Sequence, residues 1–305
     1  MTDRISLRQL HYFVACAEAG TMTGAARHLY VSQGAVSVAI AQLETRIGVQ
    51  LLLRSKAKGL ALTEAGRHLL PEARALLART DELQSGMRDI GQAPAGRLVI
   101  GCFTTIAPFL VPGLLEEFQA AHARVTLDFV EGSLTDLQGL LREGRCELAV
   151  LYGVDIQPGV DFDTLYETRP HVLLPSGHPL AEQEEIQLAD LAGLDMIALD
   201  VPPSLSYFTD VLASAGVTPL VRHRTESFEM VRSLVARGVG YSLLIQHPRP
   251  DVSYEGRALV VRRIKDTVRP LPVVLARPTG SRLTRRAAAF AAFCHANASA
   301  YAAAV

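Results

Sequence analysis

The chain has 305 residues, 49% hydrophobic and 20% charged, with a formal net charge of -1. That is too long for one ordinary core and long enough for two or three folding units, and its composition is that of a globular protein. No stretch approaches the roughly 20 uninterrupted apolar residues of a membrane span.

The opening "MTDRISLRQLHYF" has no apolar run followed by a small-residue cleavage site, so a cytoplasmic protein without membrane or export segment is expected. Cys16, Cys102, Cys146 and Cys294 form no C-x-x-C pair, and the nine histidines show no H-x-x-x-H spacing. Neither a metal nor a cofactor is expected. The neutral total conceals an asymmetry: residues 1–60 carry seven Lys/Arg against three Asp/Glu (+4), and residues 61–305 carry 23 against 28 (-5). A basic front end suits a polyanionic partner.

Ser6 and Gln9 have the capping-box spacing, and Leu10, Phe13, Val14 and Ala17 follow at helical intervals until Gly20. Thr23 offers a cap for a short second helix, and Ser32 caps a third. In that third helix Val36, Ile40, Leu43 and Ile47 form the inward stripe, which turns Gln33, Ser37, Val38 and Ala41 outward. Such a small, lightly polar face fits the DNA major groove. Gln reads adenine, Ser meets a base or a phosphate, and Ala and Val methyls touch thymine. Arg54, Lys56 and Lys58 lie in "LLLRSKAKGLALT", a β-hairpin pattern with a basic tip suited to phosphates.

From "LRQLHYFV" through "VSQGAVSVAIAQLETRIG" to "LTEAG", these residues resemble the N-terminal module of LysR-type transcriptional regulators over some sixty positions. The resemblance implies a winged helix-turn-helix with Thr23, Ser32, Gln33, Gly34, Ser37, Val38, Ala41, Arg54, Lys56 and Lys58 at the DNA. Gly34 stands where the family usually has proline and Val38 where it commonly has arginine, so the base contacts differ from the common set.

From Thr63 one helical pattern runs to Gly91, and Leu69, Ala73, Leu76, Thr80, Leu83, Met87 and Ile90 alternate steps of four and three. That is a coiled-coil seam, and it predicts a homodimer reading a two-fold symmetric site. "GQAPAGR" then reads as a linker. Beyond it, "RLVIGCF", "VTLDFVEG" and "CELAVLYG" alternate with helical segments, and a second set starts near "RPHVLLPSGHPLA", which predicts two α/β lobes.

The family resemblance continues in "EGSLTDLQGLLREGRCELAV", "HPLA" and "VARGVGYSLL". It implies a two-lobed α/β effector domain of periplasmic-binding-protein type, a ligand cleft between the lobes, and dimers that pair into homotetramers. The expected organisation is therefore a DNA-binding domain over 1–62, a dimerisation helix over 63–91, and an effector domain over 92–305. Within the last, lobe I takes 97–168 and 270–305, and lobe II takes 169–269.

Ligands of open α/β sheets bind beyond the carboxyl ends of strands. Thr104, Thr105, Gly132, Ser133, Pro203 and Ser204 occupy such places, next to helix starts that suit a small-molecule effector carrying a carboxylate. Phe103, Tyr152, Tyr207 and Phe228 are either cleft walls or core. Cys102 at the same strand end would sense oxidants only if exposed and acidified. The lobes alone would also suit a solute-binding or transport component, which would not need the basic front end. An enzyme finds no support, because there is no G-x-S-x-G elbow and no Gly-rich phosphate loop.

Overall fold

A computed structural model describes residues 5–55, 59–88 and 94–302. Three helices come first: α1 (Leu7–Ala19), α2 (Met22–His28) and α3 (Gln33–Ile47). The capping box forms as the spacing predicts, with the Ser6 hydroxyl accepting from the Gln9 amide at 3.2 Å and the Gln9 side chain accepting from Ser6 N–H at 3.0 Å. Gly20 closes α1 in the left-handed region at φ 63°. The cap of α2 is Thr21, not Thr23. Thr21 follows Gly20 in extended conformation and accepts from Gly24 N–H at 3.0 Å, while Thr23 lies inside the helix and on its exposed side.

The hairpin β1 (Leu52–Ser55) and β2 (Gly59–Leu62) is antiparallel and is tied to the helices at two points. The Glu44 carboxylate of α3 accepts from the amides of Leu51 (2.8 Å) and Leu52 (3.0 Å). At the other strand, Leu60 N–H donates to Gly20 O at 2.7 Å. Gly59, at φ 75°, brings the hairpin so near the α1–α2 turn that a Cβ there would stand 2.6 Å from Gly20 O.

Helix α4 (Glu64–Arg88) starts at Thr63, whose hydroxyl accepts from Gly66 N–H at 3.0 Å. Its first turns complete the core of the N-terminal domain. Leu70 and Ala73 are buried with Phe13, Val36, Ile40 and Leu43, and Leu69 is partly buried against them. One position of the expected dimer seam is thereby corrected. Ala73, 1% exposed, is used inside its own chain against α1, because α4 needs an apolar face to dock on the winged domain before it can offer one to a partner. Leu76 stays 47% exposed. Leu83 and Met87 fall in the last turns of α4, and Ile90, like Lys56 and Lys58, lies outside the described residues.

The C-terminal region holds two α/β lobes. Lobe I is a five-stranded sheet of order β4 (Val125–Gly132), β3 (Gly96–Phe103), β5 (Leu148–Tyr152), β13 (Leu271–Pro278) and β6 (Val160–Thr168). The first three strands are parallel and β13 is antiparallel to both its neighbours. Helices α5 (Ala107–Ala121), α6 (Leu134–Arg142) and α9 (Arg285–Ala302) pack on it, and Phe118 meets Phe290 edge to face at 5.2 Å. Strand β6 was not anticipated from the sequence. It lies at the sheet edge, where "DFDT" is solvent-facing and hides the apolar alternation.

Lobe II contains β7 (His171–Pro175), β8 (Glu185–Ile186), β11 (Ser242–Leu244) and β12 (Leu259–Ile264) in the order β11-β7-β12-β8. The parallel pair β9 (Asp195–Leu199) and β10 (Leu220–Thr225) lies beside them, with helices α7 (Ser204–Ser214) and α8 (Phe228–Ala236). The glycine of "RGVGYS" has a direct reason. A Cβ on Gly240 would stand 2.3 Å from Asp195 O, where Tyr241 joins the β9 edge by its own N–H at 2.9 Å.

His171 is buried in this lobe, and desolvation together with the charges of His247 and Arg232 lowers its pKa to about 3. The folded chain therefore holds His171 neutral while the unfolded chain protonates near pH 6.5. Stability is expected to fall as pH drops below 6.5 and to keep falling toward 3, by up to about 1.4 kcal/mol per pH unit from this one proton. Denaturant titrations at pH 7, 6 and 5 check it, and His171→Gln should flatten the slope.

Candidate nucleic-acid interface and inter-lobe cleft

Helix α3 divides as its period requires. Val36, Ile40 and Leu43 are buried, and Gln33, Gly34, Val38 and Ala41 are exposed, with Ser37 half-buried between the two sides. Val38 is 58% exposed, an apolar residue on a face of small side chains. The Ser32 hydroxyl accepts from Ala35 N–H at 3.2 Å, so its oxygen is engaged as the helix cap while its O–H remains a donor. Tyr30, at φ 55° and 95% exposed, and the exposed Arg27 and His28 in the last turn of α2 adjoin this face. None of the three was expected at the DNA from the sequence, although two basic residues and an aromatic directly before the cap of α3 were the available signal. Arg54 lies in β1, on the hairpin that Glu44 and Gly20 hold beside α3.

A cavity of about 310 Å³ opens between the lobes, bordered by Thr104, Glu131, Gly132 and Ser133 from lobe I and Asp200, Val201, Pro202 and Glu226 from lobe II. Of the six expected positions, Thr104, Gly132 and Ser133 border it. Thr105 is buried behind, at the Tyr152 hydroxyl, and Pro203 and Ser204 are taken up in the start of α7. Two of the three bordering groups are also less available than expected. Thr104 N–H donates to Gly132 O at 3.2 Å, and the Ser133 hydroxyl accepts from Asp136 N–H as the cap of α6.

The groups missed were Glu131, Asp200 and Glu226. Glu131 lies at the carboxyl end of β4, Asp200 follows β9 and Glu226 follows β10, and only the apposition of the lobes brings them together. Among the described residues no basic side chain borders the cavity.

Between the lobes, Gln246 donates its side-chain N–H to the Tyr152 hydroxyl at 3.0 Å, and Phe109 of α5 meets Phe228 of α8 at 5.8 Å. Phe103 and Tyr152 belong to the core, while Tyr207 and Phe228 are partly exposed. Cys102 is fully buried, and burial pushes its thiol well above the usual range; Cys146 and Cys294 are pushed up to about 12. None is a thiolate at neutral pH, so none is poised for oxidation. Among the described residues no three His, Cys, Asp or Glu side chains converge on a metal, and no helix is long and apolar enough to cross a membrane.

Comparison with known proteins matches residues 7–67 to the bacterial regulatory helix-turn-helix protein, lysR family, and residues 91–299 to the LysR substrate binding domain. A probable RuBisCO transcriptional regulator of Cyanophora paradoxa is 33% identical over 77% of this chain and 74% of its own. The Hca operon transcriptional activator HcaR of Escherichia coli is 31% identical, over 79% and 81%. Among solved structures, HinK, a LysR family transcriptional regulator from Pseudomonas aeruginosa, superposes with a TM-score of 0.66 at 35% identity, covering 97% of this chain and 99% of that one. Winged module, linker helix and paired α/β lobes thus recur together and in the same order, which sets aside the transport reading: the chain belongs to the LysR family and is a DNA-binding transcriptional regulator.

Proposed function

We propose that the regulator binds a two-fold symmetric operator as a homodimer, itself pairing into a homotetramer, and that a small molecule in the inter-lobe cleft sets how the subunits are arranged. Gln33, Ser37, Val38 and Ala41 read base edges. Arg54, Lys56 and Lys58 grip phosphates, aided by Ser32 and Arg27. The observation that carries this reading is the outward face of α3, free of bulky side chains and set beside a hairpin held to the same helix. Leu76, exposed on α4, supports a partner helix beyond the docked turns.

For the effector, three carboxylates and no cation favour a cationic or neutral hydrogen-bonding molecule over the carboxylate expected from helix starts. An effector can shift the arrangement only through unequal affinity for two states, and a cleft built from both lobes supplies that inequality when they close on it. Footprinting on the protein's own upstream DNA, with panels of small amines, polyols and carboxylates, tests it. An amine or polyol should alter the footprint, and Asp200→Asn with Glu226→Gln should abolish the response to an amine. Responses confined to carboxylates would reverse the assignment.

A further inference from the structure

A second and larger cavity, about 460 Å³, lies between α4 and lobe I, away from the inter-lobe cleft. Its electrostatics are opposite. Arg74 and Arg79 of α4, Arg142 at the end of α6 and Arg282 in the loop before α9 line it, against two carboxylates, Glu72 and Glu147. Glu147 is already neutralised, one oxygen accepting from the Arg286 guanidinium at 3.0 Å and the other from the Thr284 hydroxyl at 2.7 Å. Arg74 is likewise paired, with Glu18 at 2.9 Å. Arg79 and Arg282 have no carboxylate within ion-pair distance among the described residues. The start of α9, an 18-residue helix, adds its positive dipole end at Thr284.

We propose that this pocket binds a small multiply charged anion, of phosphate or oligocarboxylate chemistry, and thereby holds the linker helix against the effector domain. Guanidinium forks from three separate elements can converge on one polyanion, the chemistry for which arginine is best suited, and the volume is that of a metabolite site. The junction is tight. A Cβ on Gly144 would lie 3.3 Å from Pro71 O, and Arg74 donates both to Glu143 O at 2.7 Å and to Glu18 of α1. One guanidinium therefore touches the DNA-binding domain, the linker and lobe I, so a bound anion stiffens the joint that sets where the winged domain stands.

Calorimetric titration of the full chain with pyrophosphate and with citrate, at ionic strength held constant with NaCl, tests the proposal. One saturable site per chain is expected, and whichever anion binds tighter identifies the chemistry. Arg79→Ala with Arg282→Ala should weaken binding by about tenfold or more. Ala75→Glu, which removes no arginine but adds a carboxylate to the exposed wall, should do the same even if the double variant is poorly folded. Asp210→Asn, on the exposed side of α7 and in neither cavity, should leave anion binding unchanged. Absence of a saturable site for both anions, or binding that survives Ala75→Glu in a folded chain, overturns it.

Discussion

Gly66→Ala is expected to destabilise the DNA-binding domain while leaving the stability of the effector lobes unchanged. Gly66 sits in the first turns of α4, and an added Cβ would stand 2.2 Å from Leu51 O and 3.0 Å from a methyl of Leu62. The first of these is backbone, fixed by Thr63 N–H at 2.9 Å and by the Glu44 carboxylate on the neighbouring amide, so it cannot swing aside. Alanine gains about 1 kcal/mol of helix propensity over glycine, but overpacking against a fixed wall costs about 3 kcal/mol, and the clash wins. The net loss should lower the melting temperature of a domain this small by roughly 10 °C. Thermal melts with and without operator DNA, followed by circular dichroism, would separate the two transitions. Gly34→Ala is the control: nothing lies within 4 Å of its Cβ position, so propensity alone acts and the domain should be slightly stabilised. A melting temperature for Gly66→Ala equal to the parent's would refute the close-approach account.

The same stretch shows what a sequence displays and what it withholds. Local rules were legible: the Ser6 and Ser32 caps, the left-handed Gly20, and the Val36, Ile40 and Leu43 stripe all depend on residues a few positions apart. Thr21 and Thr23 could not be separated by type, since both are good caps. The extended backbone that Gly20 permits at Thr21 decided between them.

Longer-range facts were less visible. Ala73 fits a dimer seam by spacing, yet the α1 face claims it, because periodicity reports that a side is apolar and not which surface covers it. In the cleft, Thr104, Gly132 and Ser133 follow the strand-end rule, whereas Glu131, Asp200 and Glu226 gain their shared meaning only across two lobes. The sign of a cavity depends on that juxtaposition, which an expectation drawn from single helix starts does not contain.

Val38→Glu is expected to abolish operator binding without unfolding the chain. The side chain is 58% exposed on α3, next to the exposed Gln33 and Ala41 and on the side away from Ile40 and Leu43, so the change costs the fold little. On the operator the new carboxylate is brought among base edges and phosphates, with loss of water and no cation supplied in exchange. An uncompensated buried charge costs about 3 kcal/mol or more, which corresponds to an affinity loss of about 100-fold. Val38→Thr keeps the shape and adds only a hydroxyl, so it should lose little and shift base preference instead. Gel-shift salt titrations of the set separate reading from gripping. Gln33→Ala should relax sequence preference at a roughly constant salt slope, while Arg54→Ala should weaken all duplexes alike and lower the slope by about one. If Val38→Glu bound the operator as tightly as the parent chain, α3 would not be the element in the groove, and the exposed Arg27, His28 and Tyr30 beside it would have to contact the bases from α2 and its turn.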